Sequence, residues 1–179
     1  AHLAARAIPF GPVTPARIGG PPACTGSGPT GSAPSNGGSP VLAGVTGPKG
    51  IARAAKWADG VYSWSGNGER DEIARQLALV DAAWGDAGRD QAPQRVAGFW
   101  FSLADNADDK LKDYVYKYIR GINDDWARGM AAMCNRSSND AVNAALDAYE
   151  ELGVDECWLN PATSEIAEID RLAELIARR

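Results

Sequence analysis

One stretch, Pro40 to Asn67, constrains the fold more than any other, because a strand, a turn, a helix and a second strand follow one another within it. Residues 41–45 form a short apolar run, which is typical of a strand. Thr46, Gly47 and Pro48 then combine a side chain that can cap a helix, a permissive residue and a residue suited to the first helical position. A helix is therefore predicted to begin directly after a strand.

The helix that follows is amphipathic and short. It stops at Gly60, and Val61 to Trp64 provide the next strand. A strand, a turn, a helix and a strand form a βαβ unit, in which the start of the helix lies at the carboxyl end of the sheet and can bind anions. The apolar face of the helix is predicted to consist of Ile51, Ala54, Ala55 and Ala58.

The same alternation continues to the end of the chain. Four strands are predicted, near residues 41–45, 61–64, 96–103 and 156–159, and each is followed by a helical pattern. Strands that alternate with helices indicate the α/β class with a parallel sheet. The helical predictions include Glu69 to Trp84, a helix capped by Asp105, Asp124 to Met133, and a last helix packed through Ile169, Leu172, Ala173 and Ile176.

Residues 1–39 differ from the rest in composition. They hold 8 of the 20 Gly, 7 of the 11 Pro and no acidic residue. We expect an irregular, Gly/Pro-rich arm or loop without any packed element, followed by one domain over residues 40–179.

Charge and cysteine content exclude several classes of function. The net charge of -5 argues against a nucleic-acid or anionic-membrane partner, which would need clustered basic side chains. No apolar run is long enough to span a bilayer and no signal-peptide pattern opens the chain, so a cytoplasmic location is expected. Cys24, Cys134 and Cys157 have no metal-type spacing and are interpreted as free thiols, and no metal site is predicted.

Two loops at the same end of the predicted sheet are the best candidates for a binding site. The first could hold a phosphate on backbone N–H groups, or it could be an ordinary capped turn between a strand and a helix. The second follows the next strand, where α/β proteins bind ligands. No acidic residue has a neighbouring His, so the catalytic residues are unknown. The predicted binding positions are Gly44, Val45, Thr46, Gly47 and Pro48 in the first loop, and Ser63, Ser65, Gly66 and Asn67 in the second.

The segment PVLAGVTGPKGIARAAKWADGVYSW resembles the luciferase-like monooxygenase family of flavin- and deazaflavin-dependent oxidoreductases. The tail, AVNAALDAYEELGVDECWLNPATSEIAEIDRLAELIA, is similar to the closing helix, strand and helix of that family. The resemblance covers residues 31–179 and implies part of a (β/α)8 TIM barrel, with about four β/α units that match strands five to eight.

The resemblance also implies a cofactor, either FMN or a deazaflavin such as coenzyme F-420. The turn from Gly44 to Pro48 matches the family's loop against the cofactor tail, and residues 65–69 match a Ser-Gly-Lys-Gly-Glu stretch of deazaflavin-dependent members. Asn67 stands where those members have Lys, and Trp64 replaces a small polar residue. These differences weaken the case for a deazaflavin and leave FMN open.

The first hypothesis is therefore an oxidoreductase of the luciferase-like type that acts on a small organic substrate, with this chain supplying the phosphate side of the cofactor site. The rival hypothesis is a non-catalytic remnant or assembly module that pairs its open sheet edge with another chain, because unpaired edges must be covered. Covering could come from a partner, from homo-oligomerisation or from residues 1–39.

Overall fold

The computed structural model describes residues 4–7 and 40–179. In these residues one parallel sheet has the strand order β1-β5-β4-β3-β2, and helices follow β2, β3, β4 and β5, so the predicted α/β class is confirmed. The strands are β1 (Ala4–Ala7), β2 (Leu42–Ala43), β3 (Gly60–Trp64), β4 (Gln94–Phe101) and β5 (Glu156–Pro161). The helices are α1 (Pro48–Ala54), α2 (Arg70–Asp86), α3 (Ala107–Ile119), α4 (Asp124–Met133), α5 (Asn139–Glu151) and α6 (Ile166–Ala177).

Strand β1 was not expected from the sequence. Its four residues pair in parallel with β5, in a register that sets Ala4 opposite Glu156 and Ala7 opposite Leu159. The prediction that residues 1–39 build no packed element is wrong at this point. Strand pairing uses backbone groups, which any residue except proline can supply, so composition does not reveal so short a strand. The remainder of the predicted arm lies outside the described residues.

Helices α2, α5 and α6 cover one face of the sheet, and the main core lies between them and that face. Alternate residues of β4 and β5 point to it, and α2, α5 and α6 pack over them. Along α5 the buried residues are Val142, Ala145, Leu146 and Tyr149. Members of this cluster include Ile73, Phe99, Phe101, Leu146, Tyr149 and Leu159, each with no exposed surface.

Helix α1 packs on the same side of the sheet, next to α2. The four predicted apolar residues are buried together with Val61 and Trp84, but Ala55 and Ala58 follow the end of the helix, which comes before the predicted stop at Gly60. Pro48 is the first residue of the helix, as predicted, but Gly47 is the N-cap residue and no side chain caps the helix. The expectation that Thr46 caps it is wrong, because the helix begins one residue too late for that hydroxyl.

Helix α3 begins differently from the prediction. The N-cap residue is Asn106, whose φ of 57° is left-handed, a conformation that Asn adopts more readily than most residues. Asp105, the predicted cap, instead forms an ion pair with Arg171 at 3.1 Å. Helices α3 and α4 bury a small cluster against Trp100 at the carboxyl end of β4.

Helix α6 is anchored by a buried carboxylate. Glu168 is 1% exposed and accepts hydrogen bonds from the Leu103 backbone N–H, at 2.7 Å, and from the Thr163 hydroxyl. The buried residues are consequently Glu168, Leu172 and Leu175. Of the predicted stripe, Leu172 is buried and Ile176 is partly buried against the core, whereas Ala173 is exposed. A pattern based on hydrophobicity misses this face because its first member is charged.

Both cysteines in the described residues are free thiols, as predicted, and Cys24 lies outside those residues. Burial raises the pKa of Cys134 to about 11 and raises the pKa of Cys157 further, so both thiols are inert at neutral pH. Among the helices of the described chain, none has the length and apolar character needed to cross a bilayer.

Candidate functional site

The face of the sheet opposite the main core is lined by aromatic side chains. The Tyr62 ring lies 4.8 Å from the Trp158 ring and 5.9 Å from the Trp64 ring, and Trp64 lies 4.8 Å from Trp100, all between ring centroids. They fall on one face because Tyr62 and Trp64 are two residues apart on β3. The result is a continuous aromatic surface across three parallel strands.

Gly98 makes this arrangement fit. Its register neighbours are Trp64 on β3 and Trp158 on β5, and the Tyr62 hydroxyl occupies the space where a Cβ atom would lie. A glycine inside a buried strand allows a ligand or a backbone to approach closely. In the structure the approaching groups are the Tyr62 hydroxyl and the Trp158 backbone carbonyl oxygen, and burial raises the pKa of Tyr62 above its usual value.

A cleft of about 890 Å³ lies between the aromatic face and helices α3 and α4. Its floor is formed at the carboxyl ends of the strands, by Trp64, Trp100 and Asn160. Its outer wall is apolar and partly exposed to solvent. That wall includes Tyr118, Ile122, Trp126, Met130 and Met133.

The loop between β3 and α2 forms one end of the cleft and is held by its own side chains. The Ser65 hydroxyl accepts a hydrogen bond from the Glu69 N–H at 2.9 Å. The Asn67 amide donates to the Glu69 carboxylate at 2.6 Å and accepts from the Asn135 N–H at 2.8 Å. The polar side chains of Ser65 and Asn67 are therefore already used to shape the loop.

Arg136 ties this loop to the segment between α4 and α5. Its guanidinium donates to the Asn67 carbonyl oxygen at 2.7 Å and to the Gly68 carbonyl oxygen at 3.3 Å, and it lies 3.6 Å from the Glu69 carboxylate. Because this side chain is only 15% exposed, its hydrogen bonds are shielded from water and fix the loop in place.

The charged side chains that line the cleft are acidic. Glu69 and Glu72 contribute carboxylates, whereas no Lys, Arg or His belongs to the described residues that line it. Glu72 is held ionised by Arg75, whose hydrogen bonds at 2.7 and 3.1 Å lower the pKa of that carboxyl group. The opening turn of α2 is therefore a poor place for a phosphate, although the end of a helix would otherwise favour one.

The first predicted loop lies apart from the cleft lining. Gly44, Thr46, Gly47 and Pro48 are exposed after β2, and Val45 is partly buried. Nothing lies within 4 Å of the positions that Cβ atoms would take at Gly44 and Gly47. The backbone is thus open to a ligand, and the exposed Lys49 ammonium follows directly.

The four residues predicted in the second loop divide into two groups. Ser65, Gly66 and Asn67 line the cleft, as a ligand-contacting loop should. Ser63 points to the opposite face because it alternates with Tyr62 and Trp64, and its hydroxyl is fully buried without a hydrogen-bond partner in the described chain.

Most of the cleft wall is not among the predicted binding positions, including Trp64, Trp100, Trp126, Met130 and Asn160. A signal was present on the strands, because residues 62 and 64, 98 and 100, and 158 and 160 are spaced by two at the carboxyl ends of β3, β4 and β5. The side of α4 that faces the cleft has no such signal, since it depends on how α4 packs. Groups of His, Cys, Asp or Glu that could hold a metal ion are absent from the described residues.

Comparison with known proteins gives a family and a fold. The family model for luciferase-like monooxygenases matches residues 25–156. A search of curated proteins finds no match. The fold is similar to that of an F420-dependent secondary alcohol dehydrogenase solved in complex with an F420-acetone adduct, with 13% identity, a TM-score of 0.54, and coverage of 72% of this chain and 44% of that chain.

A second similar structure is the monooxygenase RslO1 from Streptomyces bottropensis, with 20% identity, a TM-score of 0.49, and coverage of 76% of this chain and 46% of that chain. This chain therefore spans less than half the length of either protein. The prediction of an α/β fold that forms part of a luciferase-like TIM barrel is confirmed by the family match and the dehydrogenase fold.

Proposed function

The chain belongs to the luciferase-like monooxygenase family, and from that premise we propose that it supplies the cofactor side of an oxidoreductase that uses FMN or a deazaflavin and acts on a small organic substrate. One observation carries the proposal: the aromatic cleft lies at the carboxyl ends of β3, β4 and β5, the end at which barrel enzymes bind their ligands. Because the chain covers 44% of the dehydrogenase, the proposal concerns a part of the site.

The phosphate of the cofactor fits the first loop. Gly44 and Gly47 leave open space beside the backbone, so an anion could approach their N–H groups. The Thr46 hydroxyl is not used as a helix cap and remains able to donate. Lys49 adds a positive charge one residue into the helix. We assign the phosphate to Gly44, Val45, Thr46, Gly47 and Pro48, with Lys49 beside them.

The second loop fits a different part of the cofactor. Glu69 and Glu72 would repel a phosphate there, while Ser65 and Asn67 already bond within the chain. We therefore assign Ser65, Gly66 and Asn67 to contact with the uncharged ring system. The hydroxyl of Ser63 faces away from the cleft and receives no role.

A bound flavin or deazaflavin would supply the redox chemistry. The residues of this chain would orient its ring and exclude water from one side. Trp64 provides a flat apolar wall, and Asn160, whose amide donates to the Trp158 carbonyl oxygen at 3.2 Å, holds the floor of the cleft in place. Tyr62 stays protonated at neutral pH because its pKa is raised by burial, so it can donate a proton in a hydrogen bond but does not act as a base.

The test is titration of the purified chain with FMN and, separately, with the deazaflavin. Saturable binding to one of them is expected, and at 100 times the Kd the free energy of unfolding should rise by about 2.7 kcal/mol. Replacing Lys49 by Gln should weaken binding about tenfold, the effect of losing roughly 1.4 kcal/mol of interaction.

Lys56→Gln is the matched control, since it removes the same charge from an exposed position that follows α1. It should leave the affinity unchanged. Absence of binding with both cofactors would contradict the proposal for this chain, and equal effects of the two Lys substitutions would contradict the assigned phosphate position.

A non-catalytic assembly module remains the second candidate. Strand β2 has only two residues and pairs on one side with β3, so within the described chain its other edge has no partner strand. Such an edge can accept another chain. Multi-angle light scattering of the purified protein tests this candidate, because a cofactor-binding monomer would exclude it and a stable dimer without cofactor affinity would support it.

A further inference from the structure

The cleft between the aromatic face and α4 has a lining that selects by shape and by charge. Its flat surfaces are the indoles of Trp64, Trp100 and Trp126, and Met130 adds a polarizable side chain that adapts to a ring. Aromatic groups stack or pack edge to face on such surfaces. The volume of about 890 Å³ is in the range of sites for small organic molecules.

Carboxylates are the charged groups of this lining. Glu72 is bound to Arg75, and the Glu69 side chain is 57% exposed and uses one of its oxygens for Asn67. The second Glu69 oxygen is available to accept a hydrogen bond. An anionic ligand would meet the carboxylate oxygens first, because Arg75 and Arg136, their ion-pair partners, do not line the cleft.

A cation gains little in the same place. Arg75 lies 2.7 Å from Glu72, and Arg136 lies 3.6 Å from Glu69, so each carboxylate already has a positive partner behind it. The two carboxylates therefore act toward a ligand mainly as hydrogen-bond acceptors, because their negative charges are paired with Arg75 and Arg136.

We propose that this cleft binds a flat, uncharged aromatic molecule that donates a hydrogen bond from a hydroxyl or amine group to Glu69, with its ring held between Trp100 and Trp126. This inference names the substrate class of the proposed oxidoreductase and so rests on that function for its biological meaning. The binding itself depends only on residues of this chain.

The experiment compares two probes that share one fused ring. Naphthol is neutral at pH 7 and carries a donor, whereas naphthoate is an anion without one. Equilibrium dialysis of the full chain without cofactor should give naphthol an affinity at least about tenfold higher than naphthoate. Naphthoate binding as tightly as naphthol would overturn the proposal.

Tryptophan substitutions locate the binding. Trp126 is 49% exposed and lines the cleft, whereas Trp57 is 43% exposed and does not line it, so each can be replaced without opening the core. Trp126→Ala should weaken naphthol binding several-fold, and Trp57→Ala should not. Equal effects would show that naphthol binds elsewhere and would overturn the assignment.

Charge substitutions test the selectivity. Glu69→Gln should reduce the preference for naphthol over naphthoate, while Asp71→Asn removes a fully exposed carboxylate two residues away, in the first turn of α2, and should preserve it. An unchanged preference in Glu69→Gln would overturn the role of Glu69. Because no cofactor is present, failure here leaves the cofactor titration untouched, and the two proposals can fail separately.

Discussion

At the level of single residues, the cleft owes its shape to two glycines that are needed for space and not for unusual backbone angles. Gly98 leaves room for the Tyr62 side chain, and Gly66 lies directly beneath Trp100 and Met130. A Cβ atom at Gly66 would lie 2.9 Å from Met130 Cε and 2.9 Å from Trp100 Cζ3. The sequence predicts Gly66 as one of the binding positions in the second loop. The structure gives it a packing role as well.

Replacing Gly66 by Ala should therefore push the Trp100 ring out of position. We expect a loss of about 1 to 3 kcal/mol in the free energy of unfolding, the usual cost of overpacking, together with weaker naphthol binding. Urea denaturation and equilibrium dialysis measure the two effects.

Gly47→Ala is the control for that substitution, because its added methyl group meets nothing within 4 Å and its φ of -97° suits any residue. It should change stability by no more than about 0.5 kcal/mol. If both alanine variants lost the same free energy of unfolding, close packing would not be the reason that position 66 requires glycine.

At the level of elements, the cleft depends on a link between two segments that are distant in sequence. Arg136 and Asn135, which precede α5, bond to the loop that precedes α2. Neither α2 nor α5 alone would fix that loop. The position of the loop therefore depends on how α2 and α5 pack around the sheet.

Substitution of Arg136 by Lys should loosen the loop, because an ammonium cannot reproduce hydrogen bonds in two directions from one planar group. A loss of about 1 to 2 kcal/mol in stability and a several-fold loss of naphthol affinity are expected. Arg128→Lys is the comparison, since Arg128 forms an exposed ion pair with Asp124 and its side chain is 64% exposed. That variant should match the wild type, and a similar loss in both would argue against the link.

The sequence reveals elements better than contacts, and this chain shows why. The period of the apolar residues predicts α2 closely, since burial of one face imposes that period. The bounds of α4 also match, but its buried residues are Ala127 and Ala131, while Trp126 and Met133 are exposed. The period fails where a polar group occupies the buried face, as Glu168 does in α6. It also cannot predict the link at Arg136, which results from the packing of separate elements. The cleft also results from the packing of separate elements, so the sequence predicts only the residues of its loop.

At the level of the whole molecule, the question is how a sheet that forms part of a barrel avoids exposed edges. On one side of the sheet, strand β1 covers the edge of β5 by pairing with it. On the other side, β2 is reduced to two residues, and short edge strands limit pairing with other chains. Covering of one edge by a segment within residues 1–39 is one of the options expected from the sequence, and it is the one the structure uses at β5.

The pairing of β1 can be removed by placing proline at positions 5 and 6. Neighbouring residues of a strand direct their N–H groups to opposite sides, so the double variant Ala5→Pro with Arg6→Pro removes one of the two donors that face β5, whichever pair of residues supplies them. We expect a loss of about 1 kcal/mol or more in stability. We also expect association that increases with protein concentration in light scattering, because the edge of β5 becomes available.

The double variant Ala5→Val with Arg6→Val is the control, because it keeps both N–H donors and favours a strand. Its stability and its oligomeric state should equal those of the wild type. Wild-type behaviour of the proline variant would mean that β1 is not what protects this edge, and the case for an assembly module that recruits another chain there would gain in strength.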